Sequence, residues 1–301
     1  MNKYSGILII VIVTAITFGC IGQQPGESLD IKGSDTLVQV VSDMAETYMD
    51  NNPGTDVVVT GGGSGTGIAA IINGEIDIAD SSRQIKAEEI DQAKAKGIEP
   101  WEFIIARDGL AVIVNSDNQL KNLTLEQIGA IYRGDITNWN QLGGADLEIT
   151  LYGRQSTSGT YEFFLEHVVN WQQTRKNDYS PKMRNMEGNK AIADAVNADP
   201  SGIGYVGIGY VTDTIHVINV ATSSEYISPL DEENIENGLY PITRPLYQYT
   251  SGKPDKDSLV YDFLKFELSE AGQDVVQRAG FYPINMDDRV QNQEKIFEIG
   301  E

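Results

Sequence analysis

The sequence predicts an α/β protein, and three observations predict it. Strand-like and helix-like segments alternate along most of the 301 residues, the signature of a sheet with crossover helices. Hydrophobic residues make up 41% of the chain, enough to build real cores. The length exceeds the roughly 100–200 residues of a usual domain, so two lobes or one large α/β domain are expected.

The elements come in order along the chain. Lys3 precedes an uncharged, mostly apolar run at 7–18, about the length of a signal-peptide core and short for a membrane span. The run ends at Gly19-Cys20, the only Cys in the chain. That resembles a lipobox, in which the Cys becomes lipidated and N-terminal, although Thr17 and Phe18 replace the usual Leu and small residue. Residues 1–19 are therefore predicted as a signal peptide and 20–28 as a lipidated or flexible tether. An uncleaved hydrophobic anchor is the alternative. Either reading puts the folded part outside the cytoplasm.

A short strand at 29–31 comes next. Leu37, Val40, Val41, Met44, Ala45 and Tyr48 then recur at helical spacing and stop at Asn51-Asn52-Pro53-Gly54. A strand is expected at 57–59, a helix around Ile68, Ile71 and Ile72, a strand at 76–79 and a charged helix at 87–96. A long strand at 103–114 reads as interrupted at Asp108-Gly109. Then come a helix at 125–132, a strand at 149–152, helices at 160–170 and 190–198, and a glycine-containing strand at 203–210. His216 falls in a further strand. A solvated loop or helix start is read at 231–236, a strand at 245–250 and one or two amphipathic helices at 259–279. Residues 281–284 pack the tail back onto the body.

Charge and composition exclude whole classes. Forty-four acidic residues against 22 basic ones give a formal charge of −22, and no Lys/Arg cluster offsets it. Nucleic acid and an anionic membrane surface are not expected partners. One Cys excludes an internal disulfide and a cysteine zinc site. Two His, at 167 and 216, leave little for a metal centre or a Ser–His–Asp hydrolase. No metal, cofactor or enzymatic chemistry is expected.

The informative pattern is a helix start used three times. Gly33-Ser34-Asp35-Thr36 precedes Leu37, Gly63-Ser64-Gly65-Thr66 precedes Ile68, and Ser158-Gly159-Thr160 precedes Tyr161. Ser81-Ser82-Arg83 is a fourth candidate. Any one Ser or Thr there reads as an N-cap. A helix needs only one cap, however, and each of the three starts offers two hydroxyls. A helix N-terminus also presents unpaired N–H groups and a partial positive charge, which suits an anion. Three such ends can surround one small tetrahedral oxyanion. The glycines do not indicate a nucleotide: residues 61–67 (GGGSGTG) lack the Lys of a P-loop and do not fit G-x-G-x-x-G. Arg154 ends a strand in the same loop as Ser158, which favours a guanidinium fork on the anion. Arg83 has similar neighbours and a weaker case.

These residues, with SGIGYVGIGYV at 201–211 and YPITRPLYQYT at 240–250, come in the order of a known family. The chain resembles the extracytoplasmic phosphate-binding proteins of ABC-type phosphate importers, from about residue 29 to 281. The resemblance implies a two-lobed periplasmic-binding-protein-like fold of type II, each lobe a mixed sheet flanked by helices and joined by a hinge. It implies one lobe from 29–106 plus about 240–301, and the other from about 107–239. It implies inorganic phosphate as ligand and an ABC permease as partner, with an N-terminal lipid or anchor holding the chain at the membrane. Carried over, the ligand residues are Thr36 and the amide of Leu37, Ser64, Ser82, Arg154, Ser158, the amide of Gly159, and Thr160. Ser34 adds a hydroxyl, and Arg83 and Asp35 are further candidates.

Two positions depart from the family. Some members carry an Asp where Ser82 stands, accepting the proton that phosphate keeps and sulfate lacks. Some carry an Asp beside the arginine, where Ser156 stands. For the Asp absent at position 82, the candidate replacements are Asp35, Asp80 or a turned Ser82 hydroxyl, and rejection of sulfate is weakened. Another oxyanion (sulfate, molybdate or tungstate) therefore stays open as ligand, with a secreted phosphatase as the alternative class.

Overall fold

The computed structural model describes residues 27–300. The predicted signal peptide, Cys20 and most of the tether lie outside them. Most elements have a cause in the local sequence. Strand β1 (Glu27–Gly33) leads into helix α1 (Val38–Asn51), which buries Val40, Val41, Met44, Ala45 and Tyr48 on one face and ends before Pro53. Next come β2 (Thr55–Thr60), α2 (Ser64–Asn73), β3 (Ile78–Ser81), α3 (Ala87–Ala95), β4 (Trp101–Asn115) and β5 (Asn122–Thr124). Helix α4 (Leu125–Arg133) opens on a Thr124/Gln127 capping box and closes on left-handed Gly134. The chain continues through β6 (Thr150–Arg154), α5 (Gly159–Phe164), β7 (Arg184–Met186), α6 (Asn189–Ala198), β8 (Gly202–Gly207), β9 (Ile215–Val217) and β10 (Asn219–Ala221). It ends with α7 (Glu232–Glu236), β11 (Thr243–Thr250), α8 (Leu259–Glu267), α9 (Glu270–Arg278) and α10 (Met286–Gly300).

Among the described residues, one sheet runs in the order β2-β1-β3-β11-β4-β8-β6-β7, with β9 also on β4, and β10 pairs β5 separately. The pairings within β1, β2 and β3 are parallel, while β11 is antiparallel to both of its neighbours. Two hydrophobic clusters cover the faces of the first half, drawn from residues 29–106 and 246–284. A third fills the second half, from Leu110 to Ile242 with Tyr282. The result is a two-lobed α/β molecule whose lobes share β4.

Several expectations are corrected. Strand β4 is not interrupted at Asp108-Gly109. It changes partner there, pairing with β11 up to Gly109 and with β8 from Leu110. Buried Asp108 is tolerated because Arg244, opposite it on β11, neutralises it. The expected strand at 203–210 ends at Gly207, where Ile208 N donates to Asp108 Oδ1 at 3.2 Å and the chain turns into a 3-10 helix. The expected helix at 160–170 gives way to a π turn after Phe164. Glu27 and Ser28, read as tether, pair in β1 with Thr55 and Asp56. Helix α10 carries no clear signal in the sequence. It docks by tertiary bonds, Arg107 to Asp288 at 2.6 Å and Asn292 to the backbone of Ile104 at 2.7 Å.

Candidate functional site

Four loops converge where the two lobes meet. The first leaves β1 at Gly33, whose φ is 150° and where a Cβ would stand 2.1 Å from the Asp80 carbonyl, so only glycine fits. Ser34 N then donates to that carbonyl at 2.9 Å. The second turns at Gly63 into α2, and the third carries Ser82 beyond β3. The fourth leaves β6 at Arg154 and enters α5 at Ser158. Gly159 packs so closely that a Cβ would lie 2.4 Å from Ser64 Oγ and 2.8 Å from Ser82 Oγ.

Capping explains only one of the three repeated helix starts. Ser158 caps α5 by accepting from Thr160 N at 3.2 Å. At α1 and α2 no side chain caps the helix. Most of the spare hydroxyls instead meet one another around buried Ser82, while Thr66 Oγ1 turns back to donate to the Gly62 carbonyl at 2.7 Å. Ser34 Oγ donates to Ser82 Oγ at 2.9 Å, and Ser64 and Ser82 are 3.3 Å apart. Thr160 Oγ1 lies 3.0 Å from Thr36 Oγ1 and 3.4 Å from Ser82 Oγ, joining the two lobes. The structure thus brings Ser34, Thr36, Ser64, Ser82, Ser158, Gly159 and Thr160 together.

Arg154 stands beside this cluster with 1% of its side chain exposed. Asp35 Oδ2 accepts from its Nη2 at 2.5 Å, and the Glu187 carbonyl accepts from the same nitrogen at 3.3 Å. Its Nε and Nη1 have no protein partner. Arg154, Ser158, Thr157, Asp35 and Glu187 line a cavity of about 350 Å³. Burial pushes the guanidinium below its ordinary value, and Asp35 pulls it back. A buried cation with two idle N–H groups favours an incoming anion.

The other candidates part ways. Arg83 is held by Glu89 at 2.7 Å and by Glu162, so two carboxylates already meet its charge. Asp35 is spent on Arg154 and on Gly62 N at 2.8 Å. It gives Arg154 a carboxylate from a loop 119 residues earlier in the chain. Asp80 turns away and accepts from Gln248 at 3.0 Å. Neither acid bonds the hydroxyl cluster. The Leu37 amide closes a turn on the Ser34 carbonyl at 3.0 Å. His167 stacks on Phe163 at 4.1 Å and bonds its carbonyl, leaving no Ser–His pair. Among the described residues no group of acids, His or Cys is placed to hold a metal.

Sequence reasoning missed Arg244. It is buried on β11, its Nη2 donates to Asp108 at 2.7 Å and to Thr160 Oγ1 at 3.0 Å, and its Nη1 donates to the Ser82 carbonyl at 3.0 Å. Its only local signal was a charged residue inside an otherwise uncharged strand.

Comparison with known proteins fits this geometry. The model of the PBP superfamily domain matches residues 21–271. The phosphate-binding protein PstS of Pseudomonas aeruginosa is 33% identical over 85% of this chain and 83% of its own. The PstS of Staphylococcus epidermidis is 31% identical over 93% and 89%. Among solved structures, a putative phosphate ABC transporter substrate-binding protein of Clostridium perfringens, determined with bound phosphate, is 31% identical with a TM-score of 0.76. It is covered in full and covers 86% of this chain. With two lobes closing a cluster of hydroxyls beside an under-used arginine, the chain belongs to the PBP superfamily, among the substrate-binding proteins of phosphate ABC transporters.

Proposed function

We propose that this protein captures inorganic phosphate outside the cell and delivers it to an ABC permease, with no chemistry on the ligand. The observation that carries this reading is Arg154, a buried guanidinium with Nε and Nη1 unpartnered beside buried hydroxyls. The relatives named phosphate-binding protein support the same ligand and the absence of turnover. The ligand is held by Ser34, Thr36, Ser64, Ser82, Arg154, Ser158, Thr160 and the Gly159 amide. Charge-assisted bonds contribute about 1.5–3 kcal/mol each, and micromolar affinity needs about 8 kcal/mol. The surplus offsets desolvation and the ordering of the lobes.

Among the described residues, 29–106 with about 240–300 form one lobe and about 107–239 the other. The separate hydrophobic clusters support this division, with Ile242 and Tyr282 packing across it. Crossings at β4 and before β11 act as the hinge, and closure brings Thr36 and Ser82 onto Thr160. Cys20 carries the lipid that keeps the protein at the membrane. Titration calorimetry with phosphate, sulfate and arsenate tests the ligand. Phosphate heat saturating at micromolar concentration is expected; no phosphate heat at millimolar concentration overturns the reading. The intact mass of the native protein tests the lipid.

A further inference from the structure

Four hydroxyls at the site are wired the same way. Ser34 Oγ accepts from Thr36 N at 3.3 Å, Ser64 Oγ from Ser82 N at 3.0 Å and Ser158 Oγ from Thr160 N at 3.2 Å. A hydroxyl that already accepts an N–H leaves its proton to point elsewhere, as a donor. The fourth, Thr160 Oγ1, accepts its N–H from a side chain, Arg244 Nη2 at 3.0 Å, and not from the backbone. The same guanidinium donates to the Ser82 carbonyl, which lies across the cleft from Thr160. Its position is fixed by Asp108 Oδ2, which accepts from Nε at 3.2 Å and Nη2 at 2.7 Å, and by the ring of Phe163 at 5.3 Å. Arg244 sits where β4 leaves β11 for β8, at the crossing between lobes.

We propose that Arg244 is a positioning residue of the oxyanion site: it fixes the Thr160 hydroxyl as a donor and ties it to the Ser82 loop only when the lobes are closed. Arg244 does not supply the ligand's charge partner, because Asp108 already answers its own charge. The proposal rests on the phosphate reading above.

A double-mutant cycle in phosphate affinity tests it, using the mature chain and calorimetry with inorganic phosphate. Replacing Arg244 alone leaves Asp108 buried and unpaired. The first arm is therefore the pair Asp108→Asn/Arg244→Gln, with folding checked by circular dichroism and Tm. The second arm is Thr160→Val, and the third combines them. Arm one is expected to weaken phosphate by about tenfold, the size of one lost hydrogen bond. The triple variant is expected to bind within about threefold of Thr160→Val, since Arg244 acts through that hydroxyl. Multiplying losses, or unchanged affinity in arm one, overturn the proposal. Should arm one fail to fold, Arg244→Lys replaces it with the same expected non-additivity. A wild-type protein that takes no phosphate defeats the underlying reading as well; a wild type that binds beside indifferent variants defeats this proposal alone.

Discussion

Arg154 and Arg244 make an instructive pair. Both lie at the lobe interface with 1% of the side chain exposed, and both pair with an aspartate. Around Arg154 one nitrogen is used and two are idle. Its aspartate, Asp35, is itself 24% exposed. Around Arg244 all three nitrogens are engaged, and its aspartate is fully buried. Burial alone therefore does not single out the cation proposed for the ligand. The proposal rests on the number of donors the protein leaves unsatisfied. Arg83 stands between the two: Glu89 takes hydrogen bonds from Nη1 and Nη2, and Nε makes no hydrogen bond but faces the Glu162 carboxylate as an ion pair.

The largest test of that contrast is Arg154→Ala. It is expected to weaken phosphate by about 100-fold or more, from the loss of two charge-assisted bonds, whereas Arg83→Ala stays within about threefold. Equal losses in calorimetry would remove the distinction. A smaller effect is expected from Ser82→Asp. The hydroxyl cluster holds no carboxylate, because Asp35 and Asp80 are engaged elsewhere. A carboxylate at position 82 accepts the proton of phosphate and repels sulfate, so sulfate should compete at least about tenfold less well than against wild type. Unchanged competition would show that another group already supplies the acceptor.

An effect on stability, not on affinity, is expected beside the site. Gln248 Nε2 donates to both Asp80 and Glu267, two buried carboxyls with no cation against them. Burial raises the Asp80 carboxyl from an ordinary 3.8 to about 7, and burial together with Asp80 raises Glu267. Between pH 4 and 7 the native state thus keeps a proton that the unfolded chain has released. This stabilisation is complete below about pH 4 and is lost as pH rises through about 7. Asp80→Asn should flatten that loss by a few kcal/mol. Urea midpoints of the two proteins at pH 4, 5.5, 7 and 8 check it; parallel profiles would mean that Asp80 titrates normally.

Much of the fold was readable because its causes are local. The α1 face and its stop at Pro53 each span only a few residues. The hydroxyl-bearing helix starts were readable for the same reason, as was Arg154 in the loop of Ser158. Failures fall where the cause is distant. Asp108-Gly109 looked like a strand break because its neutralising partner lies 136 residues away. The pairing of Asp35 with Arg154, 119 residues on, was not legible either. The helix at 160–170 was drawn too regular, since a π turn has no sequence period of its own.

By itself, the sequence determined the α/β alternation, the three helix starts and the absence of an internal disulfide. These depend on periodicity, capping and composition, which act over a turn or two of chain. Tertiary structure alone decided which arginine keeps free donors, which acid serves which cation, and that one unbroken strand carries both lobes. Those outcomes depend on strand register and on loops meeting across the cleft. No local pattern encodes which buried charge finds its partner first.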